Sequence, residues 1–181
     1  VDINPPSVIS NNSSGRFGGG LFVNHANATS TIFQSAITGN SATTTGSGIY
    51  LGTTTTSNTL NISYSRIVGN TGAGLKGFAT AGGTSTAENN WWGCNTISTS
   101  GPCDTTGTVA GVGSIDANPW LQLRLSAATN PIFVGQTSAL TATFLQNSDG
   151  GTVSTGNIAL LLGLPVTWGS TLGSISGSQG T

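Results

Sequence analysis

Ser7-Val8-Ile9-Ser10-Asn11-Asn12, Ser35-Ala36-Ile37-Thr38-Gly39-Asn40 and Ser65-Arg66-Ile67-Val68-Gly69-Asn70 are three versions of one phrase, recurring every 28 to 30 residues. Each opens on serine, carries isoleucine two places on and closes on asparagine. A glycine-rich step into an apolar residue follows each time: Gly19-Gly20-Leu21, Gly46-Ser47-Gly48-Ile49 and Gly72-Ala73-Gly74-Leu75. After a variable loop comes a third strand-like piece: Thr31-Ile32-Phe33-Gln34, Thr59-Leu60-Asn61-Ile62 and Thr84-Ser85-Thr86-Ala87. A period of this length marks a solenoid. Apolar residues stand singly and alternate in short runs bounded by Gly, Asn and Ser, which is strand spacing rather than helical spacing. Three short strands per repeat describe one coil of a parallel β-helix, whose coils stack about 4.8 Å apart. Ile9, Ile37 and Ile67 then form one inward column, and Leu21, Ile49 and Leu75 a second. Asn12, Asn40 and Asn70 stack at a corner, where asparagine tolerates the left-handed conformation and its amide can bond to the next coil.

Composition agrees. Only 5% of the 181 residues are charged, the net charge is −1, there are 28 glycines and no methionine, and Ser and Thr make up more than a quarter of the chain. β-Branched and small residues joined by glycine suit strands and tight turns. Regular apolar positions argue against the disorder that a Gly/Ser/Thr-rich chain otherwise invites. Arg16, Arg66, Lys76 and Arg124 are scattered, so no basic footprint for nucleic acid exists. No run approaches the ~20 apolar residues of a membrane span. The longest apolar stretch, Ile158 to Val166, is broken by Gly163 and Pro165. The chain opens at Val1-Asp2-Ile3, without an initiator Met or signal peptide, and is expected to be processed or cut there.

Cys94 and Cys103 enclose eight residues of a Gly/Ser/Thr/Pro loop. A zinc site would lack further ligands nearby. The pair reads better as a disulfide, which places the protein in an oxidising, extracytoplasmic setting. On chain-entropy grounds closing such a loop contributes roughly 2–3 kcal/mol.

The repeat resembles the right-handed parallel β-helix proteins of bacterial surfaces, within the broad pectate-lyase-like superfamily, over roughly residues 1–120. Its most specific element is Glu88-Asn89-Asn90-Trp91-Trp92-Gly93, closed by Asn118-Pro119-Trp120-Leu121. This looks like that family's terminal coil and cap. Trp91, Trp92 and Trp120 are therefore expected to seal the apolar end that a solenoid leaves exposed. The competing use of Trp91 and Trp92 is a sugar-stacking platform.

From residue 121 the texture changes. Leu121-Gln122-Leu123-Arg124-Leu125 alternates, and Asn130-Pro131-Ile132-Phe133-Val134-Gly135-Gln136 reads as a turn. Ser138 to Leu145 is a clear strand, and Pro165-Val166-Thr167-Trp168 a later one. The segment resembles the start of bacterial immunoglobulin-like domains of invasin-type adhesins, and the resemblance implies that Trp168 packs in a sandwich core. About 60 residues follow Leu121, against the roughly 100 such a sandwich needs. The expected architecture is all-β: residues 1–120 as about three to four coils of capped β-helix, and 121–181 as the N-terminal part of an immunoglobulin-like sandwich. Both ends are expected to stop inside a fold unit. Either a longer chain completes them, or neighbouring subunits do so by strand addition or coil stacking, which generates head-to-tail filaments.

No constellation for catalysis is visible. The five acids, Asp2, Glu88, Asp104, Asp116 and Asp149, form no close pair in sequence and fall on no repeat-matched positions. A glycosidase needs two facing carboxylates, and a calcium-dependent lyase several oxygen ligands and a base. His25 sits in a variable loop without a nucleophile. Gly18-Gly19-Gly20 is a coil corner; no Lys-Ser/Thr follows to make a phosphate loop. Thr43-Thr44-Thr45 and Thr53-Thr54-Thr55-Thr56 suggest a flat threonine surface of the ice-binding kind, but Asn24 to Asn27 and Ala79 to Gly82 break the pattern in the other coils, so they read as loop residues. Sequons mark Asn11, Asn12, Asn27 and Asn61 as candidate glycosylation sites, of a kind that arises by chance in a chain this rich in Asn, Ser and Thr. The expectation is an extracellular or cell-surface bacterial structural protein, not an enzyme, without cofactor or metal. It would be a stalk or filament building block that associates with itself and meets a glycan or surface ligand. The alternatives are an adhesin or carbohydrate-binding module, and the non-catalytic part of a polysaccharide-degrading enzyme.

Overall fold

The computed structural model describes residues 2–24, 28–52, 58–77, 84–97, 103–108 and 114–176. The first coil consists of β1 (Asp2–Ile3), β2 (Ser7–Ser10), β3 (Ser13–Ser14) and β4 (Leu21–Val23). The second repeats it as β5 (Ala28–Phe33), β6 (Ser35–Thr38), β7 (Ser41–Ala42) and β8 (Ile49–Leu51). The third has β9 (Asn58–Ser63), β10 (Arg66–Val68) and β11 (Ala73–Gly77). A last turn runs through β12 (Thr84–Thr86), β13 (Thr105–Thr108) and β14 (Ser114–Asp116). Like strands pair in parallel from coil to coil, giving sheets β1-β5-β9-β12-β14, β2-β6-β10 and β4-β8-β11-β13, with a small β3-β7 ladder at one corner. The chain is a β-solenoid of about three turns.

The register follows the sequence repeat residue for residue. Ile9 pairs with Ile37 and Ile37 with Ile67; Leu21 pairs with Ile49 and Ile49 with Leu75. A third inward column joins Ile3, Ile32 and Ile62. Ile32, Ile37, Ile49, Ile62, Ile67 and Leu75 are each at most 1% exposed. Full burial of one such side chain stabilises by about 1.5–3 kcal/mol. Gln34 is not part of the third strand. With Tyr64 and Asn89 it forms a column of corners at positive φ (45°, 51° and 54°) that turns each coil from one sheet to the next.

A second line of left-handed corners corrects one reason given for the asparagine column. The positive φ values fall on Asn11, Gly39 and Gly69 (56°, 64° and 73°), one residue before Asn12, Asn40 and Asn70. The glycine in Gly-Asn makes the turn, and the asparagine is there for its side chain.

After the last turn the chain leaves the tube as an antiparallel hairpin, β15 (Leu121–Ala127) and β16 (Leu140–Asn147), with a register shift between Gln122 and Arg124. A 3-10 helix, Thr155–Leu161, covers one end of it. Leu121, Phe144, Val153, Ile158 and Leu161 form a second core against Tyr64 and Trp91 on the solenoid wall. Residues 130–136 make the expected turn: Gln136 N–H donates to Phe133 O at 3.0 Å, with Gly135 at φ 86°. The Pro165–Trp168 stretch carries no strand pairing. Proline there supplies no N–H, and among the described residues no second sheet faces the hairpin for it to join.

Candidate functional site

The polar residues of the repeat converge on the solenoid's own interior. Asn12 donates from its backbone N–H (3.0 Å) and its Nδ2 (3.1 Å) to Asn40 Oδ1, and Asn40 does the same to Asn70 Oδ1 at 3.0 and 2.9 Å. Each amide also reaches back one coil: Asn40 Nδ2 donates to Ile9 O, and Asn70 Nδ2 to Ile37 O. Asn40 is fully buried and Asn70 5% exposed. Buried amides persist when every donor and acceptor is met, and the ladder meets them.

The amides lie flat against a column of glycines. A Cβ on Gly20 would stand 2.9 Å from Asn40 Nδ2, one on Gly48 3.1 Å from the Asn70 amide, and one on Gly74 2.8 Å from Asp104. The Gly-Leu/Ile step of the repeat is therefore the bed on which the ladder rests.

Asp104 ends the ladder. Its carboxylate accepts the Asn70 backbone N–H at 3.1 Å, the Asn70 side-chain amide and a bond from the Gly69 backbone. The terminal member of this ladder needs only to accept, and a carboxylate does only that. Burial to 2% exposure raises its pKa above the ordinary carboxylate range, and the bonds from Asn70 and Gly69 pull the other way. In the sequence Asp104 is one of five acids that form no close pair. The repeat signal breaks at the Cys94–Cys103 loop, which sets Trp92 and Asp104 twelve positions apart where Ile67 and Asn70 are three apart.

A second axial ladder uses Ser35 and Ser65, the serines that open the second and third phrases. Ser35 N–H donates to Ser65 Oγ at 3.1 Å, and Ser65 N–H to Asn90 Oδ1 at 2.9 Å. Asn90, fully buried, returns its amide to Ile62 O and Ala87 O. Inside the third sheet Leu60 N–H donates to Ser85 Oγ at 3.1 Å.

The tryptophans divide. The bridge from Arg66 to Trp91 puts Trp92 next in line after Ile67, where its fully buried indole joins the tube core. Trp91 turns outward and meets Phe144 edge-on, with ring centroids 4.8 Å apart and an angle of 65°, so it belongs to the hairpin core. Trp120 packs half-buried against the tube core and donates from Nε1 to Asn95 O at 2.8 Å. The Trp92 indole is fully buried, and Trp91 is partly buried against the hairpin core.

Cys94 and Cys103 form a disulfide with a Cα separation of 5.6 Å. Phe17 stacks on Tyr50 at 4.6 Å, Phe22 lies 5.7 Å from Tyr50, and the Arg16 guanidinium sits 5.3 Å over Phe17. Phe22 is 48% exposed, so this outer-wall cluster is a second aromatic feature, spread over two coils and invisible as a motif.

Of the sequons, Asn12 is committed to the ladder and Asn61 accepts from Thr86 Oγ1 at 3.0 Å, whereas Asn11 is exposed at its corner. Asn27, His25 and Thr53 to Thr56 lie outside the described residues. Among the described residues no three His, Cys, Asp or Glu side chains gather to hold a metal ion, and no helix is long and apolar enough to cross a membrane. Comparisons with protein-family models, curated proteins and solved structures find no match for this chain.

Proposed function

We propose that this chain is an extracellular structural module, a length of β-helix rod leading into an immunoglobulin-like element, used in a bacterial surface stalk or filament. The observation that carries this reading is where the polar side chains go. Asn12, Asn40, Asn70 and Asp104, with Ser35, Ser65 and Asn90, are consumed in bonds between successive coils. Their chemistry is spent on axial rigidity. The right-handed pectate-lyase-like type is supported by the Asn corner and the tryptophan-filled core of the last coil. The immunoglobulin-like element is supported by the alternating hairpin, whose apolar face continues past its cover to Leu125 and Leu140, 64% and 40% exposed. Head-to-tail assembly by strand addition is the corresponding mode of self-association, since beyond Leu123 on β15 and before Leu145 on β16 the outer edges of the hairpin carry no strand partner among the described residues.

Electron microscopy of the purified protein and of native material tests this. Rods or filaments are expected; compact, monodisperse particles at every concentration would overturn it. An adhesive reading rests on the Phe17, Phe22 and Tyr50 cluster, and a glycan-array signal lost in Phe22→Ala would favour it.

A further inference from the structure

At three corners the ladder residue follows its inward isoleucine by three positions, Ile9 to Asn12, Ile37 to Asn40 and Ile67 to Asn70. At the last corner Trp92 and Asp104 are twelve positions apart, nine more than at the others, with the Cys94–Cys103 loop between them. An insertion there costs loop entropy just where the ladder must end in register. The disulfide removes that cost by joining the two feet of the excursion. The residues next to its two sulfurs each hold something. Asp104, after Cys103, takes the backbone N–H and side-chain amide of Asn70. Asn95, after Cys94, exchanges a pair of bonds with Leu123 of the hairpin: Leu123 N–H donates to Oδ1 at 2.7 Å and Nδ2 donates to Leu123 O at 2.8 Å. Asn95 O also accepts from Trp120 Nε1 and Gln122 Nε2, each at 2.8 Å. One covalent bond thus fixes both the end of the solenoid and the root of the hairpin.

We infer that Cys94–Cys103 is a redox-sensitive joint, whose reduction loosens the root of the hairpin at Leu123 and the last ladder step at Asn70, while the earlier coils stay folded and Trp91 still seats the hairpin through Phe144. Cys94 is the more exposed partner, with Cys103 8% exposed. A dithiol reductant attacks as thiolate and forms a mixed disulfide. Its second thiol then closes to the reductant's own cyclic disulfide, so two electrons and two protons pass to the protein as two cysteine thiols. The sheets of the first three coils contain neither cysteine and keep their parallel pairing.

Hydrogen exchange of the whole chain, with and without dithiothreitol under native conditions, tests the joint; thiol content is read by mass. On reduction the Asn70 and Leu123 amides are expected to exchange on the order of a hundredfold faster, the loop-closure contribution expressed as an equilibrium ratio. The Asn12 and Asn40 amides are expected to keep their rates. The C94S/C103S double variant should match the reduced protein and show no further response to dithiothreitol. Unchanged Asn70 and Leu123 exchange in fully reduced protein would overturn the proposal. So would equal acceleration at Asn40, which would make the disulfide a global staple. Should the double variant fail to fold, reduction of the unmodified protein still decides between these outcomes.

Discussion

Asn40 shows what a single ladder residue does. Its oxygen takes two donors from Asn12, and its amide supplies Ile9 O and Asn70 Oδ1, while Asn40 itself is out of contact with water. Asn40→Ala orphans groups on both neighbouring coils and is expected to cost about 2–4 kcal/mol in chemical denaturation, while exposed Asn12→Ala should cost under about 1 kcal/mol. Asp104 makes a prediction of opposite sign. A folded-state pKa raised above the unfolded value means the folded protein holds its proton more tightly. Its contribution to stability is therefore full below the unfolded carboxylate value and lost as pH rises through the raised folded value. Asp104→Asn, which continues the amide ladder without a buried charge, should be more stable than the unmodified protein at pH 7. That advantage should shrink on acidification, read as melting temperature across a pH series. The asparagine column could be read in the sequence because three corners share a spacing. Asp104 could not, because its excursion breaks the spacing and its side chain is an acid.

At the scale of elements, the parallel sheets were legible and their lining was only half so. Inward isoleucines repeat, and repetition is what a solenoid imposes on its core. The glycines of the Gly-Leu/Ile step looked like turn formers, yet a Cβ on Gly48 would stand 2.3 Å from the Gly74 carbonyl oxygen and 3.1 Å from the Asn70 amide. Gly48→Ala should therefore cost about 3 kcal/mol by overpacking, more than loss of turn propensity alone, measured by urea denaturation. Trp92→Ala leaves a cavity in the tube core and should cost about 3–5 kcal/mol on the same assay. The strand expected at Pro165–Trp168 rests on the resemblance to immunoglobulin-like domains, which is carried by local sequence. Pairing is not local, and among the described residues no neighbouring strand accepts it.

For the whole molecule, the hairpin is a buttress seated on one corner of the tube through Trp91, Tyr64 and Phe144. Trp91→Ser should loosen it without dismantling the solenoid: protease cutting within residues 121–161 is expected to accelerate while the far-ultraviolet spectrum of the coils persists. Bonds between coils run along the axis and connect neighbours only. Tension on the two ends of such a rod would therefore be met by one coil at a time. Each coil that gives way frees 28 to 30 residues, about 100 Å of slack. The protein would lengthen in even increments, like a spool losing its turns, and absorb mechanical work at each one. The stapled loop would withhold its share of the last increment until its sulfurs part.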